Sequence, residues 1–277
     1  MVGEAPGQTP AAPENAQAPR FGSAVAHIAR VYNYWLGGTD HNAADRAAGE
    51  RTIAEYPGIV ASARANRAFL RRAVNFLVTE AGVRQFLDIG TGIPAPDNTH
   101  EVAQSLAPQS RIVYVDNDPV VLAHARALLT SAPEGATDYL DADLREPGPI
   151  LAGAARTLDF CRPVAIMLLA VLHLLGDDDE PYRVVADLLA AAPPGSYLAV
   201  SHPTSDVAQD QVTAMVARLN DLVAEKVTTR DRDQVARFIA GLDLVEPGLV
   251  NVSQWRPDAT APAEGPAALW VCVARKP

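Results

Sequence analysis

Phe86-Leu87-Asp88-Ile89-Gly90-Thr91-Gly92 and, further on, Val113-Tyr114-Val115-Asp116-Asn117-Asp118 are the two stretches that decide the fold. The first is an apolar strand opening into a glycine turn, and the second is an apolar strand ending in acid. In an α/β sheet this pairing holds a nucleoside cofactor. Glycines let the backbone approach the ligand with no Cβ in the way, and a carboxylate ending the next strand accepts both hydrogens of a ribose diol. A Gly-x-Gly turn alone is common; a strand before it, a helix after it and an acid at the next strand end give it weight.

The same stretch narrows the choice of nucleoside. Dinucleotide sites use a third glycine where helix and strand pack around a pyrophosphate, and Ile93-Pro94 stands here instead. Asp88 would repel a pyrophosphate but attract an ammonium or a sulfonium, so the electrostatics favour S-adenosylmethionine over NAD. Asn98 and Glu101 have the spacing of a capping box that opens the next helix.

Outward from this centre, strands are expected near 84–89, 111–116, 137–141, 164–170 and 196–201, with amphipathic helices between them. That alternation predicts a doubly wound, mainly parallel α/β sheet. A last helix near 231–240 precedes two apolar runs, Leu242 to Val250 and Ala267 to Ala274. The first twenty residues have almost no large apolar side chain, and residues 1–22 read as a disordered tail. Residues 23–82 read as a helical N-terminal cap and 83–277 as the sheet domain.

Composition excludes several classes. The chain has 277 residues, 48% of them hydrophobic, enough for one large core with an added cap. A net charge of −10, with lysine only at Lys226 and Lys276, argues against nucleic acid as a partner. No apolar run approaches membrane-spanning length, so the expectation is a soluble, cytoplasmic protein without a membrane partner. Cys161 and Cys272 have neither disulfide nor metal-ligand spacing, and no metal is expected.

Other residues carry chemistry by position. Leu70, Ala73, Val74 and Leu77 form an apolar helical stripe, and Asn66 shares that face; its partner is either a neighbouring element or a ligand. His173 follows the most apolar strand, where the sheet's carboxyl edge would present a methyl group. It reads as a base, an orienting hydrogen-bond partner or a structural histidine, and His202 is a weaker copy of the same argument. Tyr32, Asn33, Tyr34, Trp35, Gly37 and Gly38 read either as a packed helix with a glycine C-cap or as a lid covering a sulfonium and its acceptor. Asp177-Asp178-Asp179-Glu180, just before Pro181, reads as a solvated helix start.

The chain from Ala29 to about Pro257 resembles the actinobacterial S-adenosylmethionine-dependent methyltransferase family long catalogued as a domain of unknown function. The matching segments are ARVYNYWLGGTDHNAADR (29–46), SARANRAFLRRAV (62–74), QFLDIGTGIPAPDNTHEVAQ (85–104), VYVDNDPVVLAHARALL (113–129), DADLREP (141–147), AVLHLLGDDD (170–179) and LVEPGLV (244–250). The resemblance implies a seven-stranded Rossmann-like methyltransferase sheet with a final antiparallel strand. It implies S-adenosylmethionine as cofactor and S-adenosylhomocysteine as product. Its implied cofactor set is Asp88, Gly90, Thr91, Gly92, Asn98, Thr99, Asp116, Asn117, Asp143, Leu144, Ala170, Arg30, Tyr34, Gly38 and Asn66. Within that set Asp143 accepts from the adenine amino group and Leu144 offers its backbone N–H. His173 and Tyr32 are the candidate catalytic residues.

Three functions are therefore open at this level. Methyl transfer to a small, neutral, aromatic acceptor leads. A cofactor-binding protein without catalysis is the alternative. A nicotinamide-dependent reductase trails, because the residues four before Lys226 and Lys276 are Leu222 and Cys272, not the tyrosine a short-chain reductase needs.

Overall fold

Five apolar runs become parallel strands: β1 (Gln85–Ile89), β2 (Arg111–Asp116), β3 (Ala136–Asp141), β4 (Ala165–Leu169) and β5 (Tyr197–Pro203). The computed structural model describes residues 25–128, 130–257 and 267–277, and the tail expected over 1–22 lies outside them. β8 (Leu269–Arg275) runs antiparallel to β5, and its other edge takes two short pieces, β6 (Asp243–Leu244) and β7 (Val250–Asn251). The strand order is β3-β2-β1-β4-β5-β8-β6, with β7 also on β8. β6 and β7 share the place of one seventh strand. Val245 still donates to Val273 O at 2.9 Å before the chain leaves the ladder, and it rejoins at Val250. The doubly wound, mainly parallel sheet read from the sequence is thus present, with its last strand broken in two.

Side-chain alternation divides the core. Leu87 and Ile89 of β1, Val113 and Val115 of β2, and Ile166 and Leu168 of β4 face one layer, packed by α6 (Pro147–Ala154) and α7 (Pro181–Ala191). Phe86, Ile112, Tyr114 and Met167 face the other, against α3 (Gly58–Thr79) and α4 (Thr99–Leu106). The stripe Phe69, Leu70, Ala73, Val74 and Leu77 is buried there, as its spacing requires.

The helical cap is not one continuous stretch of chain. α1 (Ile28–Trp35) and α2 (Ala43–Glu55) pack with α8 (Gln209–Asn220), through Ile28, Val31, Trp35 and Ala48 against Val212, Met215 and Leu219. α3, although contiguous with them in sequence, belongs to the sheet layer. The helix expected near 231–240 is α9 (Arg232–Ala236) followed by a 3-10 turn, Arg237–Ile239. No helix among the described residues is long and apolar enough to cross a membrane. None of their His, Cys, Asp and Glu side chains group as a metal site.

Chain direction explains where a ligand can sit. β1 lies between β2 and β4, so the connections leaving β1 and β4 part to opposite sides and open a crevice at the carboxyl ends of the strands. α1, α3 and α8 roof that crevice.

Trp255 closes the far layer. It is fully buried, edge-on to Phe69 at 5.2 Å and to Phe76 at 6.1 Å, and its carbonyl accepts from Arg72 Nε at 2.9 Å. Trp255→Ala should lower unfolding free energy by about 3–5 kcal/mol, read as a lower urea midpoint at unchanged slope. Trp255→Phe should cost clearly less, because Nε1 makes no hydrogen bond that the substitution could break.

Candidate active site

The glycine turn is fixed from both sides. Gly90 (φ +74) donates to Val115 O at 2.8 Å, and a Cβ at this position would lie 2.2 Å from Val171 Cγ2. Only glycine allows β1 to end this close to the chain leaving β4. Gly92 (φ +63) donates its N–H to Asp116 Oδ2 at 2.9 Å, while Asp116 Oδ1 accepts from Asp118 N at 2.9 Å. Two backbone bonds thus aim the carboxylate that ends β2 and leave its remaining lone pairs for a ligand. Burial raises the Asp116 pKa, and the two backbone donors oppose the rise.

Asp88, on β1 two residues before Gly90, is buried. Its carboxylate accepts from Thr99 Oγ1 at 2.6 Å and its pKa is pushed up to about 6 by burial, with the Asp116 charge adding and Thr99 and Arg67 opposing. The 93–98 loop is pinned from α3: Arg67 Nη2 donates to Pro96 O at 2.8 Å, Asp97 O at 3.0 Å and Asn98 Oδ1 at 3.3 Å. Asn98 N donates to Glu101 Oε2 at 2.7 Å, the bond its spacing foretold.

At the end of β3, Asp143 accepts from Asn117 Nδ2 and from Arg145 Nη1, each at 3.2 Å. Arg145 continues to Asp179 at 2.8 Å and to Leu174 O at 3.2 Å. Asp177 pairs with Arg230 at 3.1 Å. Glu180 pairs with Arg183 at 3.3 Å, so the acidic run before Pro181 is more than a solvated helix start: three of its carboxylates hold arginines.

Asn66 has two protein partners. Ala170 N donates to Ser201 Oγ at 2.9 Å, Ser201 Oγ donates to Asn66 Oδ1 at 2.6 Å, and Asn66 Nδ2 donates to Tyr32 Oη at 3.0 Å. Tyr32 Oη passes its own hydrogen to Ala63 O at 3.1 Å. Burial raises the Tyr32 pKa, so the hydroxyl stays protonated and the relay stays directed.

Of these groups, Gly90, Gly92, Asp88, Thr99, Asp116, Asn117, Asp143, Arg145, Arg67, Asn98, Ala170, Asn66 and Tyr32 line one cleft, together with Thr91, Leu144 and His173; Ser201, Asp177, Asp179 and Arg230 are not part of its lining. At the strand ends its polar groups include Asp88, Asp116 and Asp143. Its outer half, beneath the cap, is walled by Ile28, Trp35, Leu36, Ile59, Met215 and Leu219. At the rim His27 lies between Asp118 (3.2 Å) and Glu225 (3.3 Å); burial alone would lower its pKa, but the two carboxylates outweigh it and raise it.

Three residues of the sequence-derived set are placed elsewhere. Arg30 is spent on Asp45 at 2.8 Å and Asp118 at 3.4 Å, holding α1 to α2 and to the start of α5 (Pro119–Leu128). Tyr34 points away from the cleft, edge-on to His41 at 5.1 Å. Gly38 ends α1: its N–H reaches Asn33 O and that of Gly37 reaches Tyr34 O, each at 2.9 Å, a Schellman cap. His202 also lies outside the cleft wall; Nδ1 faces Pro203 O at 2.8 Å and Nε2 faces Arg230 Nη1 at 3.1 Å. Sequence reading missed Arg67, Arg145 and the α8 wall. Arg67 sits one residue beyond Asn66 on the same helix, and that was the available signal.

A profile of the S-adenosyl methyltransferase family matches residues 14–277. The chain is similar to the crystal structure of a DUF574 family protein from Streptomyces avermitilis MA-4680, at 45% identity over 91% of this chain and 98% of that one, with a TM-score of 0.88. It is also similar to that of a candidate methyltransferase from Thermobifida fusca YX, at 39% identity over 94% and 98%, with a TM-score of 0.85. No curated protein matches the sequence significantly.

Because Asn66 joins β5 to α1 through two hydrogen bonds, Asn66→Ala and Tyr32→Phe should be non-additive. The coupling expected from a shared network is about 0.5–3 kcal/mol in a double-mutant cycle of urea midpoints. Additive costs would mean that the relay carries no joint stability.

Proposed function

The chain belongs to the S-adenosyl methyltransferase family and is an S-adenosylmethionine-dependent methyltransferase; on that premise we propose how its cleft divides the work and what it methylates. The residues present fit the cofactor: a turn that a Cβ would fill at Gly90, an aimed carboxylate at Asp116 and a buried acid at Asp88. S-adenosylmethionine supplies a methyl group on a sulfonium. Asp116 takes the ribose diol, Asp143 and the Leu144 N–H take the adenine edge beside Asn117, and Gly90, Thr91 and Gly92 offer backbone. Asp88 receives the methionine ammonium, and Arg67, which already reaches the 93–98 loop, faces its carboxylate. Asn98, Thr99 and Ala170 shape this end, while Asn66 holds the floor.

The acceptor is a small aromatic molecule, uncharged when free in solution, lodged in the outer half. The observation that carries this reading is the apolar wall of Ile28, Trp35, Leu36, Ile59, Met215 and Leu219, continuous with the polar cofactor end. Tyr32 contributes its ring, since its hydroxyl is occupied, and His173 stands where acceptor and methyl meet. Rate comes chiefly from alignment and from exclusion of water beneath the cap.

Calorimetry should find S-adenosylmethionine and S-adenosylhomocysteine binding and NAD not binding; the reverse order would end this reading. Asp116→Ala should weaken S-adenosylhomocysteine binding by roughly 2–4 kcal/mol, about thirtyfold to a thousandfold, with circular dichroism unchanged.

A pH dependence follows from Asp88. Its carboxyl titrates near 6 before ligand binds, and an ammonium partner favours the charged form. Affinity should hold above that pH and fall by about tenfold per unit as pH drops below it, with a proton released on binding. Asp88→Asn should bind weakly at every pH and lose the slope. A slope that persists in Asp88→Asn would assign it to another group.

A further inference from the structure

His173 sits in a turn clasped by two arginines. The 3-10 turn Leu172–Leu174 gives its Leu172 carbonyl to Arg230 Nη1 at 3.1 Å and its Leu174 carbonyl to Arg145 Nη2 at 3.2 Å, and Leu175 O accepts from Arg230 Nη2 at 2.9 Å. The His173 carbonyl accepts from Thr228 N at 2.8 Å, so its backbone is held from the same strap that carries Arg230. Arg230 is 1% exposed, and its one carboxylate partner among the described residues, Asp177, is 82% exposed. Water therefore screens the acid far more than the cation, and the buried guanidinium is under-neutralised. His202 cannot help: with Nδ1–H on Pro203 O, its bare Nε2 accepts from Arg230 and the ring is neutral.

This setting fixes the state of His173. Burial, then the Arg230 charge, lower its pKa to about 4. Nδ1 is sealed from solvent with no hydrogen-bond partner among the described residues. A stranded bare nitrogen costs less than a stranded N–H, and the positive field of Arg230 favours a lone pair there. The proton accordingly belongs on Nε2, and the ring is part of the cleft wall. The other charges nearby are committed: Asp143 and Asp179 to Arg145, and Glu225 Oε1 to His27, with Glu225 Oε2 sealed from solvent.

Resting on the methyltransferase reading, we propose that His173 meets the acceptor as an uncharged N–H donor positioned by Arg230, and that the acceptor is a weakly acidic hydroxyl, a phenol or enol, bound as its anion. The hydroxyl loses its proton to solvent on binding. The oxygen lone pair then forms the O–CH3 bond while the C–S pair returns to sulfur, so oxyanion and sulfonium become a neutral ether and a neutral thioether. Charge is annihilated beside a buried cation. An amine would instead carry the positive charge onto nitrogen beside Arg230, with a histidine too weakly basic to take its proton. Arg230 touches neither reactant and is a positioning residue; His173 is the catalytic one.

The test titrates 4-nitrophenol, whose phenolate absorbs visibly, and 4-nitroaniline into the full chain saturated with S-adenosylhomocysteine. The phenol should bind with its ionisation constant raised about tenfold or more, and the aniline at least about tenfold more weakly. His173→Phe keeps a ring but removes the donor, and should abolish the ionisation shift while leaving S-adenosylhomocysteine affinity within a few-fold. In Arg230→Met, histidine proton resonances should show His173 titrating at higher pH than in the parent; if that variant does not fold, His173→Phe decides alone. Binding of the phenol in its neutral form, no binding of the phenol, equal binding of the aniline, or a shift that survives in folded His173→Phe each overturns the proposal. Failure of S-adenosylhomocysteine to bind at all would instead overturn the cofactor reading beneath it.

Discussion

Between the ends of β1 and β4 there is room for backbone and nothing more, because a Cβ on Gly90 would come within 2.2 Å of Val171 Cγ2. Much of the cleft follows from that contact. It lets the chain reverse tightly enough for Gly92 to reach Asp116, which aims the acid at the end of the neighbouring strand. It also brings Ala170 and Val171 beside the turn, so the chain leaving β4 enters the short helical turn that carries His173. A larger residue at position 90 would have to push the strand ends apart, and packed interiors yield little before something else gives way.

The cleft is ordered by charge as much as by shape. The chain is acidic overall, with a net charge of −10, yet the acids around the cleft are apportioned: Asp116 to backbone donors, Asp143 and Asp179 to Arg145, Glu225 to His27. Asp88 is the exception, buried with a single hydroxyl donor and a guanidinium at a distance. A carboxylate kept this way is destabilised until a cation arrives, which suits it to discriminate a positively charged ligand end from a phosphate. At the turn that carries His173 the imbalance has the opposite sign, since Arg230 is buried while its carboxylate partner Asp177 is solvent-exposed. The overall charge thus conceals two opposite imbalances, one at Asp88 in the cleft wall and one at Arg230 behind the His173 turn.

The strands and the glycine turn were legible because their signals are local: apolar runs of period two, glycine where φ is positive, acid at a strand end. The capping pair Asn98 and Glu101 was legible for the same reason. Arg30, Tyr34 and Gly38 were placed by likeness to a motif, and such a motif can persist because it folds a helix. Here it does so, through the Arg30–Asp45 pair, the Tyr34–His41 contact and the glycine cap. Arg67, Arg145 and Arg230 were not legible, because each acts on carbonyls or acids brought near only by the fold, and a lone arginine in a helix or loop carries no periodic mark. α8 was missed as a wall for a related reason. Its apolar face matches α1 and α2 only after most of the chain has been traversed. The broken last strand escaped because β6 and β7 are each two residues long, too short for alternation to show.

The division of the cap between distant parts of the chain bears on how the protein is made. α1 and α2 emerge from the ribosome before α8, with Val31, Trp35 and Ala48 exposed, and the faces that cover them, Val212, Met215 and Leu219, follow roughly ten seconds or more later. The bridge between Ala26 and Val223 spans a comparable stretch. Contacts of such separation carry a high loop-closure cost and form late. The parallel strands can assemble while the first two helices still wait for their partner. On this topology the strand-end part of the cleft can take shape before α8 appears, whereas the apolar chamber comes into being only once α8 has emerged.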